Sequence, residues 1–183
     1  MAYGEQQKLE EAAHELETAL RIDPNLAQAH RPLGAVYIRL EQYEDAIREF
    51  QAALSTGRND IAARLGLGAV YQKQGRYQEA IYELQQVLRL QRENFEAHYR
   101  LGWIYTAQSK IPEAIHELQI AGRINPGNAN VHFALGMAYT MQKQGQSDER
   151  AAHEFEVAIR IDPNSAASLY FQEHSRFHWT CLH

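Results

Sequence analysis

Leu67-Gly68-Ala69-Val70-Tyr71, the turn Gln74-Gly75-Arg76-Tyr77, then Glu79-Ala80-Ile81-Tyr82-Glu83-Leu84: this stretch decides how the whole chain is read, because it recurs. Leu33, Leu67, Leu101 and Leu135 stand 34 residues apart, and so do Gly34, Gly68, Gly102 and Gly136. Tyr37, Tyr71, Tyr105 and Tyr139 keep the same interval, as do Ala12, Ala46, Ala80 and Ala114, and Glu15, Glu49, Glu83 and Glu117. After Tyr139 the register slips: Ala151, Glu154, Phe155 and Pro163 arrive 37 residues after their predecessors. Three extra residues therefore lie within Lys143–Glu149, a Gln/Gly/Ser stretch suited to a turn.

Each column has a physical reason. Gly at the Gly34 position lets paired helices approach where a Cβ would hold them apart. Ala at the Ala46 position is its small counterpart on the second helix. Leu33, Tyr37, Phe50 and Ala53 recur at helical spacing and give each helix an apolar stripe. Pro112 suits the first turn of a second helix, where its missing N–H costs nothing. Pro24, Pro126 and Pro163 fall at unit boundaries. Pro32 lies inside a first helix and predicts that this helix starts late or bends. Arg58 and Arg92 replace the boundary proline, which predicts longer, smoother helices there. One helix pair cannot bury its stripe alone, whereas a stack buries it continuously.

These residues resemble the tetratricopeptide-repeat (TPR) family, whose unit is a 34-residue helix–turn–helix. The resemblance covers about residues 1–164 and implies an all-α fold: a right-handed superhelical solenoid of antiparallel helix pairs. The units would be 1–26, a truncated first repeat keeping mainly its second helix (about 7–22); 27–60, 61–94 and 95–128; and 129–164 with the three-residue insertion. Residues 165–178 continue the first-helix register without its Gly and Tyr and read as a capping helix. Residues 179–183 read as a disordered tail. Met1 aligns with the middle of a first helix, so the sequence reads as a piece of a longer protein with apolar surface open at that end.

Composition bounds the function. Hydrophobic residues are 45% and charged residues 22%, with a formal charge of −5, which disfavours sequence-independent binding to nucleic acid or anionic membrane. No run approaches the ~20 apolar residues of a membrane span. A single cysteine, Cys181, rules out an internal disulfide framework. A cytoplasmic location is the default reading.

Candidate chemistry does not assemble into a catalytic site. His30, His98 and His132 share one column and His14, His116 and His153 another, which sets them along ridges rather than around one ion. His116-Glu117 and His153-Glu154 lack the second histidine of a zinc-protease motif, and Gly66-Leu67-Gly68 lies in a helix with no preceding strand. The repeated glutamate reads as a solvated or inter-helix salt-bridging ridge. No nucleophile is paired with a base, so no enzyme activity, cofactor or metal is expected.

The TPR resemblance implies a concave groove lined by first helices. It assigns Arg31, Ala35, Ile38 and Arg39; Leu65, Ala69, Gln72 and Lys73; Tyr99, Trp103 and Thr106; and Phe133, Met137 and Thr140. The first half is basic and small, the second aromatic and apolar. The same aromatics also suit gap-filling between neighbouring helices. Arg31 and Ala35 stand where the family's carboxylate clamp has Lys and Asn, so an acidic chaperone tail is not the expected ligand. The implied function is a scaffold for a partner peptide or helix. Self-assembly through the open N-terminal end, as a homo-oligomer, and a regulatory arm of a larger enzyme are the alternatives.

Overall fold

A computed structural model describes residues 2–24, 26–142 and 147–164. Among these residues there are nine α-helices and no strand: α1 (Ala2–Ile22), α2 (Ala27–Arg39), α3 (Tyr43–Thr56), α4 (Ile61–Lys73), α5 (Tyr77–Leu90), α6 (Phe95–Ala107), α7 (Ile111–Ile124), α8 (Ala129–Met141) and α9 (Ser147–Ile161). They form two compact units, residues 1–92 and 93–183. In the first unit α2 packs on α3 and α4 on α5, with α1 against α2 and α3 against α4. In the second, α6 packs on α7 and α8 on α9, and α7 joins the pairs. The links within α2–α3, α4–α5 and α6–α7 are three residues long, which forces antiparallel neighbours. No helix among the described residues is long and apolar enough to cross a membrane.

Across each pair the glycine column meets the large apolar column of Phe50, Leu84, Leu118 and Phe155, not the alanine column. A Cβ on Gly68 would lie 2.9 Å from Leu84 Cδ2, one on Gly102 2.6 Å from Leu118 Cδ2, and one on Gly136 2.5 Å from Phe155 Cε1. Ala46, Ala80 and Ala114 are completely buried. The ring of Phe50 is held between two glycines: a Cβ would come within 2.9 Å of it from Gly34 on α2 and 2.5 Å from Gly66 on α4. Gly66 thus serves close packing between consecutive pairs.

Turn chemistry repeats as well. Glu41, Gly75 and Ser109 adopt the left-handed conformation, with φ of 59°, 72° and 59°. The next amide in each case reaches back to the column tyrosine carbonyl: Gln42 to Tyr37 and Arg76 to Tyr71 at 2.8 Å, Lys110 to Tyr105 at 2.9 Å. Such a C-terminal motif satisfies carbonyls left over at the helix end. The α4, α6 and α8 helices are N-capped by Asp60, Asn94 and Asn128, whose side chains accept from main-chain N–H groups at 2.9–3.3 Å. Leu26, at the same position before α2, offers no side-chain cap.

Three sequence expectations need correction. The helix containing Pro32 does not start late: α2 begins at Ala27, in register with α4, α6 and α8. The proline removes only the bond to the Gln28 carbonyl, near a helix end where Gln28 and Pro32 are both exposed to water. Arg58 and Arg92 do not lengthen the preceding helices, since α3, α5 and α7 each span 14 residues. Finally, α1 runs unbroken from Ala2, with no turn between a first-helix stub and a second helix. Gln7 occupies the place of Gly75, and the chain stays helical through it. Most of the segment that carries the three-residue insertion, the 165–178 cap and the 179–183 tail lie outside the described residues.

Candidate binding faces

Within each unit the predicted groove residues lie on neighbouring first helices. In the first unit Arg31, Ala35, Ile38 and Arg39 are on α2, and Leu65, Ala69, Gln72 and Lys73 on the adjoining α4. In the second, Tyr99, Trp103 and Thr106 are on α6, and Phe133, Met137 and Thr140 on the adjoining α8.

The second unit's face is an aromatic strip. Tyr99 stacks on Phe95 with centroids 5.7 Å apart and planes 8° from parallel. It meets Trp103 edge-on at 6.4 Å and 88°. Phe133 packs at 5.8 Å on Phe155. Phe95, Tyr99, Trp103, Phe133 and Met137 are all half-buried, resting on the core formed by Leu118, Val131, Leu135 and Phe155. Each therefore has a fixed inner edge and an outer edge in water. Burial pushes the Tyr99 hydroxyl above the usual tyrosine range, opposed by its hydrogen bond with Trp103. Thr106 and Thr140 donate to carbonyls of their own helix, Gly102 at 2.9 Å and Met137 at 2.7 Å.

The first unit's face is different. Arg31 Nε lies 3.4 Å from Asp60 Oδ2, and Arg39 pairs with Glu5 of α1. Two of the three cations that sequence alone would offer to a ligand already face carboxylates. Lys73, at the last turn of α4, is exposed.

Sequence reasoning left Phe95 out, although its i, i+4 relation to Tyr99 was visible. It also did not find what the glutamate column faces. Glu49 Oε2 lies 2.6 Å from His30 Nδ1, Glu117 Oε2 2.6 Å from His98 Nδ1, and Glu154 Oε2 2.7 Å from His132 Nδ1. Arg64 fills the same place opposite Glu83 at 2.7 Å. Glu49, Glu83, Glu117 and Glu154 thus form an inter-helix hydrogen-bonded column, the salt-bridging alternative of the sequence reading being explicit at Arg64–Glu83. Each partner stands 19 residues earlier, or 22 across the insertion.

Column tyrosines at both ends of the array reach the preceding second helix. Tyr37 donates to Glu17 at 2.7 Å, and Gln119 donates to the Tyr139 oxygen at 2.9 Å. Burial, with that carboxylate accepting from it, pushes Tyr37 far above the ordinary tyrosine value. The Arg76 guanidinium covers the Tyr71 ring at 4.4 Å. Among the described residues no group of three His, Cys, Asp or Glu is placed to hold a metal ion.

Family comparison agrees with this architecture. Profiles described as tetratricopeptide repeat match residues 25–93 and 71–132, and one described as TPR repeat matches residues 2–41. No curated protein matches by sequence. Among solved structures, the chain is similar to MamA (residues 41 to the end) from Desulfovibrio magneticus RS-1, at 22% identity and a TM-score of 0.75 over 90% of this chain and 94% of that one. It is also similar to YrrB, described as a TPR protein with an unusual peptide-binding site, at 26% identity and a TM-score of 0.70 over 91% and 84%. The APC/C hetero-tetramer Cut9–Hcn1 aligns at 22% identity and a TM-score of 0.76, covering 91% of this chain and 33% of that one. With its repeated Gly, Ala and Tyr columns packed as helix pairs, the chain belongs to the tetratricopeptide-repeat family.

Proposed function

We propose that the chain is a protein-interaction module that takes an extended or helical partner segment on its first-helix faces, anchored on the aromatic strip of α6 and α8. The half-buried row Phe95, Tyr99 and Trp103, beside Phe133 and Met137, carries this reading. Rigid aromatic side chains with one edge packed and one edge wet offer contact area at little entropic cost, and Trp and Tyr dominate binding hot spots. Membership of a repeat-scaffold family and the likeness to a peptide-binding relative support the same class of function. The ligand is accordingly read as apolar or aromatic at its anchor. An acidic ligand residue could exchange with Glu5 on Arg39, since an exposed pair of this kind is worth only about 0–1 kcal/mol.

The test is selection of a random peptide library on the immobilised chain, followed by affinity measurement on the Trp103→Ala and Tyr99→Ala variants. Enriched peptides should share an apolar or aromatic anchor and lose about tenfold or more in affinity on either variant. Equal binding to both variants would remove the strip from the function.

A second reading rests on α1. Its Ala12 is only half-buried, whereas Ala46, Ala80 and Ala114 are fully covered, and Ile22 is 83% exposed. A second copy could cover that face. Light scattering over a concentration series decides, because a strict monomer at all concentrations leaves this reading without content.

A further inference from the structure

Three members of the column, His30, Arg64 and His132, each face two acceptors and so call for a cation with two donors. Arg64, whose charge is permanent, shows the pattern outright: Nη1 donates to Glu83 at 2.7 Å and Nη2 to the Arg58 carbonyl at 2.9 Å. The first acceptor is a carboxylate on the following second helix, the second a main-chain oxygen in the preceding turn. His30 meets the same two acceptors, Glu49 at 2.6 Å through Nδ1 and the Pro24 carbonyl at 3.0 Å through Nε2. His132 repeats this with Glu154 at 2.7 Å and the Pro126 carbonyl at 3.0 Å.

A main-chain carbonyl only accepts, and so does an ionised carboxylate. A neutral imidazole carries one N–H, so it leaves one of the two contacts as a lone pair facing a lone pair. One further proton, whether on the ring or shared with the carboxylate, satisfies both contacts. We propose that His30 and His132 are proton-dependent staples, which tie a first helix to its second helix and to the preceding turn and which loosen when that proton leaves.

Other charged groups on the packed elements are engaged elsewhere or can be named. Around His30, Glu17 of α1 accepts from Tyr37, Asp45 of α3 pairs with Arg48, and Asp60 before α4 faces Arg31. Around His132, Glu117 of α7 holds His98 and Glu96 of α6 holds Arg100. Glu149, Arg150 and His153 of α9 line a shallow cavity together with Glu154 and Tyr139.

The sign follows from proton counting. The folded staple binds one proton more than a neutral imidazole and a carboxylate apart in the unfolded chain. Its stabilisation is complete on the acid side of ordinary imidazole titration, about 6.5, and is lost as pH rises.

Thermal unfolding between roughly pH 5.5 and 9 tests this against substitutions that fix or add a staple. The parent should lose several degrees of Tm with rising pH. His30→Arg/His132→Arg should flatten that slope, because its donors do not titrate, whereas Arg64→His should steepen it. The remaining histidines contribute equally to all three, so the differences carry the answer. Parallel slopes in all three proteins overturn the proposal. If the double variant does not fold, Arg64→His and the imidazole nitrogen NMR of the parent decide. Bare, unprotonated nitrogen signals for both His30 and His132 on the acid side, or an unchanged slope in Arg64→His, would overturn it equally.

Discussion

The two units share a scaffold and differ in how they fill the space between consecutive pairs. In the first unit the large Phe50 of α3 is accommodated by Gly66 on α4. In the second, the same two places hold Leu118 of α7 and Ala134 of α8, buried in one cluster. A larger knob faces a smaller socket, and a smaller knob a larger one. The repeat therefore constrains a summed volume rather than each residue, as close packing requires.

The largest effect should come from breaking that balance. Gly66→Ala puts a Cβ 2.5 Å from Phe50 Cε1, so the ring or the helix must move. Overpacking of this kind costs about 1–3 kcal/mol, reduced by the roughly 1 kcal/mol by which Ala exceeds Gly in helix propensity. Combining it with Phe50→Leu recreates the second unit's pairing and should recover part of the loss. Urea unfolding of the two single variants and the double measures the coupling. Additive losses would mean that Phe50 and Gly66 do not share a volume constraint.

That balance also marks what was legible in the sequence. Gly34, Gly68, Gly102 and Gly136 are visible because only one residue type satisfies the close approach, so the column is uniform. The Gly66 position is occupied by Pro32, Gly66, Arg100 and Ala134, and its rule appears only when Phe50 or Leu118 is set beside it. The His/Arg column is mixed for the same reason: its requirement is two donors, which two residue types meet. Arg31 and Arg39 read as free cations because the column positions of Asp60 and Glu5 hold other residue types in other units, so no uniform column announces the pairing, although Glu5 stands one full repeat before Arg39. Pro32 does not delay the start of its helix, since its lost bond lies near a solvated end.

Within the first unit α2 stands apart from α4, and from both first helices of the second unit, at its start. The α6 and α8 helices open on Asn94 and Asn128, while α2 opens on Leu26 with no side-chain acceptor. Asn94→Ala should cost about 1 kcal/mol, read as a shift in the denaturation midpoint. Hydrogen exchange should be faster in the first turn of α2 than in those of α6 and α8, and Asn94→Ala should bring α6 toward α2. Unchanged exchange in α6 would mean that packing, not the cap, holds that turn.

The smallest effect separates the turns. Glu41 in the first unit and Ser109 in the second hold φ of 59°, where Gly75 sits at 72° without strain. A non-glycine residue there pays roughly 1 kcal/mol or more, offset in part by the lower entropy of its unfolded chain. Glycine at either place should thus stabilise by about half a kcal/mol. Ser109→Gly is the cleaner measurement, because Glu41 lines a cavity with Glu5 and Arg39, and removing its carboxylate also alters the field around that ion pair. Gly75→Ala supplies the opposite sign in an otherwise open site, with no atom within 4 Å of the added Cβ. With sterics absent, any loss from Gly75→Ala comes from the backbone alone. If that variant is as stable as the parent, the left-handed turn carries no strain, and Ser109→Gly should then destabilise instead.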